Sequence, residues 1–237
     1  NGAASLRWNH LFGSRLFVNT SLYSSVYGYN VEFGNNFWTS EIGVVGLKSQ
    51  FTHYASSKYT AQFGFDLQAY ANTPGGLTLD SSIVVLPDFS DYSSQKNALF
   101  YEGEYTFNDK WSLKGGLRLT TWRNIGPRTY YTYDDDYQLN DTVRARFGEY
   151  NFYRNNETRL NLQYRVNDRS LLTLSYGSYR QYLQLILNSI SPFSTLEVWL
   201  ASSPHIQPQA ARHLSLNYSA THPKRRLNYS LAAYYKQ

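Results

Sequence analysis

Glu102 and Glu104 are the nearest approach in this sequence to a paired-carboxylate site. A glycoside hydrolase would set one such group as acid and the other as base or nucleophile. These two, however, are successive same-side positions of a strand-like segment with no loop signature beside them, so catalysis is not expected. The five histidines (His10, His53, His205, His213 and His222) show no metal-ligand spacing, and there is no Cys to join them. Asp134-Asp135-Asp136, flanked by Tyr130, Tyr131, Tyr133 and Tyr137, is the densest cluster. It lacks the glycine and the spaced ligands of a calcium loop. It reads as an exposed loop, and its tyrosines suit recognition because they offer contact area at low entropy cost. No GxSxG, HExxH, P-loop or dinucleotide fingerprint is present. The expectation is a non-enzyme with no catalytic residue, metal or cofactor.

The charges elsewhere follow a different logic. Asp66, Glu102, Glu104, Lys114, Arg118, Arg159 and Arg165 all fall on the polar side of two-residue alternations. Residues 59–71 carry the longest of these. Tyr59, Ala61, Phe63, Phe65, Leu67, Ala69 and Ala71 oppose Thr60, Gln62, Gly64, Asp66, Gln68 and Tyr70. Side chains on a strand alternate between faces, so one face of this strand is apolar and the other polar. It is also longer than the ordinary strand of about 5–6 residues. A tilted membrane-crossing strand needs about 9–11 residues of this pattern. Arg or Lys facing lipid at mid-depth costs about 2–4 kcal/mol, so the charged face is expected to line a lumen. Trp8, Trp38, Tyr59, Trp111 and Trp122 lie near strand ends and are expected to form aromatic girdles at the membrane interfaces.

The bulk numbers are compatible with that reading. Mean hydropathy is −0.51, and no apolar run approaches the roughly 18 residues of a membrane helix. A spanning chain must then be a closed barrel, since only helices and barrels satisfy their own backbone in lipid. The net charge of +5 is spread among strands and loops, so no nucleic-acid partner is expected. The absence of Met, an opening that is already strand-like and a strand pattern running into the last residues predict an internal piece of a longer chain.

Ten strand-like segments are expected, near 3–10, 16–26, 37–52, 59–71, 99–107, 111–122, 158–166, 172–179, 213–219 and 227–235. Short turns follow the first, third, fifth, seventh and ninth. Asn108-Asp109-Lys110 is a clear tight-turn signal. Long loops at 73–95, 123–156 and 180–212 follow the fourth, sixth and eighth. Loops beyond about 12–15 residues are uncommon in compact domains. Their confinement to one end is how outer-membrane barrels are organised, with short periplasmic turns and long extracellular loops.

Particular residues carry a resemblance. Ser175-Tyr176-Gly177-Ser178-Tyr179-Arg180-Gln181-Tyr182-Leu183-Gln184-Leu185, then Asn188-Ser189, Val198-Trp199 and Ser203-Pro204-His205-Ile206-Gln207-Pro208-Gln209 follow one another. This stretch resembles the barrel of Bacteroidota-type TonB-dependent outer-membrane receptors, the branch with a peptidase-regulatory-like N-terminal domain. Ser5-Leu6-Arg7-Trp8-Asn9-His10-Leu11-Phe12, Gly116-Leu117-Arg118-Leu119 and Ala233-Tyr234-Tyr235-Lys236 resemble the same family. Leu196-Glu197-Val198-Trp199 departs from it in lacking the usual Asp, and Leu200-Ala201 in lacking the usual Pro.

The resemblance implies an all-β, antiparallel up-and-down transmembrane β-barrel of 22 strands. Residues 1–237 would supply about the middle ten of them, with the plug and N-terminal domain outside this chain. It also implies a bacterial outer-membrane location, lipid around the barrel, and energy-coupled nutrient import using the receptor's own plug and the TonB machinery. Two alternatives stand beside the importer. One is a receptor-like barrel acting as a structural subunit of a larger complex with other envelope proteins. The other is a free-standing ten-strand barrel, which requires its first and last strands to pair.

Overall fold

A computed structural model describes residues 1–78, 91–134, 136, 138–146, 148–187, 196–222 and 227–237. Ten strands form one antiparallel sheet: β1 (Gly2–Phe12), β2 (Leu16–Phe33), β3 (Asn36–Tyr54), β4 (Tyr59–Thr78), β5 (Tyr92–Thr106), β6 (Trp111–Ile125), β9 (Glu149–Asn167), β10 (Ser170–Gln181), β13 (Gln209–His222) and β14 (Leu227–Lys236). Each pairs with its sequence neighbours in the sheet, an up-and-down order without crossover. Two hairpins stand apart from it: β7 (Arg128–Tyr133) with β8 (Leu139–Ala145), and β11 (Leu183–Leu187) with β12 (Glu197–Ala201). Among the described residues there is no helix, and β1 and β14 do not pair, so these ten strands do not close on themselves.

Register keeps one set of residues on each face across the whole sheet. Asp66 is opposite Lys48 on β3 and Ala98 on β5, and Arg118 is opposite Phe100 and Glu157. The apolar set faces outward with nothing over it: Leu6, Leu67, Leu99, Leu117, Leu160, Leu174, Leu216 and Leu231 are all exposed. Many of the buried positions are polar and sit on the other face, among them Asp66, Thr120, Asn124 and Glu157. This reverses the order of a water-soluble sheet, where the apolar face is the one covered.

The apolar band has a limited height. On β5 it runs from Phe107 to Leu99, and beyond it the same face carries Asn97, Gln95 and Ser93. Nine residues at about 3.3 Å each, tilted by about 40°, give a band about 23 Å tall, close to the roughly 25 Å of membrane barrels. Among the described residues, outward charges such as Glu41, Arg123 and Arg154 lie past that height.

The strands are longer than the alternation alone predicts. β2 and β3 run on past the expected limits and join through Gly34-Asn35, where Gly34 takes a φ of 63°. That left-handed conformation costs glycine nothing and explains the tight turn. The end carrying the long connections therefore also has one very short turn. Two of the expected long loops hold paired strands of their own: 123–156 contains β7–β8, and 180–212 contains β11–β12. Much of 73–95 lies outside the described residues.

Candidate functional site

The seven charged candidates share the polar face, and five of them meet in two clusters. In the first, Arg118 Nη2 lies 2.9 Å from Asp66 Oδ2. The Tyr23 hydroxyl donates to Asp66 Oδ1 at 3.3 Å, Gln68 Nε2 donates to the Tyr23 hydroxyl at 2.7 Å, and the Tyr70 hydroxyl donates to Gln68 Oε1 at 2.6 Å. These side chains come from β2, β4 and β6, so long groups reach across an intervening strand. A Cβ on Gly46 would fall 2.2 Å from the Tyr23 ring, so only glycine leaves that ring room to lie across the sheet. Asp66 is 8 % exposed, and buried charges are ordinarily paired.

In the second cluster Lys114 Nζ lies 2.9 Å from Glu102 and 4.0 Å from Glu104. The two glutamates share one cation, which lies much closer to Glu102 than to Glu104. Arg159 sits 3.9 Å from Glu157 and over the Tyr179 ring. Glu157, which also accepts from Thr120 Oγ1 at 3.2 Å, belongs to this network although the expected strand began one residue later. Its signal was present: it extends the odd-numbered polar row of Arg159, Asn161, Gln163 and Arg165. Arg165 stands apart, near the 168–169 turn. A recess of about 170 Å³ lies between the clusters, lined by Lys48, Gln62, Phe100, Glu102, Arg118 and Arg159. Among the described residues no three His, Asp or Glu groups are placed to hold a metal.

The aromatic candidates divide. Trp8, Tyr59 and Trp111 lie on the apolar face, with Trp8 stacked on His10 and Trp111 against Tyr164 at 4.4 Å. Trp38 and Trp122 do not belong with them. Both register onto the polar face and are buried, 6 % and 1 % exposed, so neither ring can meet a lipid interface. The parity was legible, since Trp111 and Trp122 are an odd number of residues apart and must point to opposite faces.

The β11–β12 hairpin covers these rings. It folds back against β3 and β4, and Trp122 stacks on Tyr182 at 5.4 Å beneath it, with Ala201 completing the cluster. Four ring donors on four strands hold its backbone. Trp38 Nε1 donates to Glu197 O (3.1 Å), the Tyr92 hydroxyl to Trp199 O (3.0 Å), Trp122 Nε1 to Ser202 O (3.1 Å) and the Tyr153 hydroxyl to Ser203 O (2.7 Å). The Tyr27 hydroxyl adds a bond to the Glu197 carboxylate at 2.9 Å.

In the other hairpin, Tyr130 packs on Tyr150 and His205, and Tyr133 also meets His205, so the two excursions touch through rings. Tyr131 and Tyr133 remain exposed. Asp134 caps its turn by accepting from the amides of Asp136 and Gln138. Asp135 and Tyr137 lie outside the described residues.

Open, antiparallel, meandering and inverted in polarity, the sheet has the fold of part of a β-barrel wall. Solved structures share it. The copper transporter OprC aligns with a TM-score of 0.67 at 12% identity, over 99% of this chain and 38% of that one. The FrpB iron transporter from Neisseria meningitidis (F3-3 variant) aligns with a TM-score of 0.63 at 10% identity, over 99% and 36%. The ferric-catecholate import receptor Fiu from E. coli K12 aligns with a TM-score of 0.59 at 12% identity, over 98% and 40%. The chain thus spans between about a third and two fifths of the length of these structures. No family model matches the sequence, and no curated protein does.

Proposed function

We propose that residues 1–237 form about ten strands of a single transmembrane barrel domain in the bacterial outer membrane, belonging to a TonB-dependent receptor that imports a nutrient through a plugged lumen. The observation that carries the reading is the reversed burial: leucines and tyrosines uncovered on one face, ion pairs and buried amides on the other. In this reading lipid meets the apolar face. Asp66, Glu102, Glu104, Lys114, Arg118, Arg159 and Arg165 face the lumen, Trp8, Tyr59 and Trp111 mark interfaces, and Tyr130, Tyr131, Asp134 and Asp136 belong to an extracellular loop. The exposed edges of β1 and β14 need further strands beside them, because an unpaired backbone edge is not tolerated in lipid. The fold shared with iron and copper transporters supports import, and the sequence resemblance supports the plug and TonB as working partners.

The absence of cysteine in this stretch makes the wall testable. Single thiols introduced along β6 in the whole protein should react by turns. Leu117→Cys should take a lipid-soluble maleimide, and Lys114→Cys and Arg118→Cys a water-soluble one. Uniform aqueous labelling would overturn the membrane wall. The importer reading stands on uptake, which should cease in cells that lack TonB.

A further inference from the structure

Of the five ring donors that reach residues 197–203, Tyr27 goes to the Glu197 carboxylate, and the other four go to main-chain carbonyls, with Trp122 Nε1 shared with Asn124 Oδ1. Glu197 O and Trp199 O are two residues apart on β12, so they leave the same edge of that strand. Trp38 and Tyr92 thus stand where a neighbouring strand would present its amides. Past the end of β12, Ser202 O and Ser203 O are taken by Trp122 and Tyr153. Bonds to carbonyls do not depend on which side chains the bound segment carries. Recognition by addition to a strand edge gains its affinity in the same way.

The fit of the chain's own segment is incomplete. Asn72, opposite Tyr92 on the neighbouring strand and 3 % exposed, has no partner for either Nδ2 or Oδ1. Ser202 Oγ is buried and unpartnered as well. A carboxamide can donate to a peptide carbonyl and accept from a peptide N–H together. Leaving both atoms bare on a buried side chain beside Tyr92 is costly, and a peptide that reached them would relieve that cost.

We propose that this aromatic ledge, formed by Trp38, Tyr92, Trp122 and Tyr153 with Asn72, is a binding site for an extended peptide read through its backbone, and that residues 197–203 are its built-in occupant. The ledge lies on the face assigned to the lumen, so its role in transport rests on that reading. Peptide binding in detergent does not, and the two can fail separately.

The test uses the whole protein in detergent with the hairpin unlatched by Glu197→Ala and Val198→Pro, which spare every wall donor. A fluorescent peptide copying residues 196–203 and a scrambled version of it should bind alike. Tyr92→Phe or Tyr153→Phe in that background should weaken binding about fivefold, the factor for one hydrogen bond. No binding to a folded barrel, binding of the copy but not the scramble, indifference to both Phe changes, or displacement by maltoheptaose would each overturn the proposal. Should the unlatched protein fail to fold, the unaltered one decides. Saturating scrambled peptide should expose Trp199 to chymotrypsin, and unchanged cleavage would count against the site.

Discussion

The two halves of β6 differ in what their faces carry. From Trp111 to Leu119 the strand sets Leu113, Leu117 and Leu119 outward and Lys114 and Arg118 inward, where both find carboxylates. From Thr120 to Ile125 Thr120 and Asn124 stay inside, but the pattern breaks between them. Trp122 is inside under a roof of Tyr182 and Ala201, and Arg123 is outside, 3.9 Å from Glu149. Hydrogen bonding to β5 and β9 continues through both halves. The pairing of strands is therefore indifferent to what each face meets. Side chains alone record that the lower half is read as standing in lipid around a wet interior, and the upper half in water around a covered one.

The lower half breaks most severely from within. Asp66→Ala leaves the half-buried Arg118 guanidinium without its partner and should cost about 3 kcal/mol, the low end for breaking a buried pair, measured by urea unfolding of the whole protein in lipid vesicles. Adding Arg118→Met should recover most of that loss. An equal loss in the double variant would mean that the pair does not act as a unit. Leu117→Lys attacks the outer face and should cost about 2–4 kcal/mol in the same assay. Arg123→Leu, one turn of the pattern beyond the apolar band, should change stability little, and a similar cost at both sites would erase the distinction between the halves. In the upper half, Tyr153→Phe removes one tether and should cost about 1 kcal/mol. The change should appear as faster proteolysis near Trp199 with global unfolding unaltered. The smallest effect belongs to Lys114→Gln. Its ion pairs are partly solvated, and the loss should stay within about 0–1 kcal/mol and fade in high salt.

The lower half was the legible one. Alternation is a local signal, so the ten strands, their faces and the sides of all seven charged candidates could be read from neighbouring residues. The meander then follows because short turns join antiparallel neighbours. The upper half depends on contacts remote in sequence, such as Trp38 with Glu197 across 159 positions. In β11 and β12, Leu-Gln-Leu-Ile-Leu and Glu-Val-Trp-Leu-Ala place apolar residues on both parities, so no face stands out. The resemblance marked Val198-Trp199 and Ser203 to His205 as a pattern without giving them a physical task. Two signals were present and missed. Gly34-Asn35 is a two-residue hairpin turn by composition, and the odd spacing of Trp111 and Trp122 already separated them.

The reversed burial also governs how such a chain must travel. A folded sheet with this much bare leucine and tyrosine, and little apolar core to offset it, has no stable form in water. Under the proposed reading the chain crosses the aqueous space unfolded and escorted, and folds only on arrival. Alternation makes the journey feasible. On that reading, a sequence that nowhere gathers the roughly 18 successive apolar residues of a membrane helix would pass the inner membrane without lodging there. The pattern proposed to commit the chain to one membrane would thus be the one that keeps it out of the other.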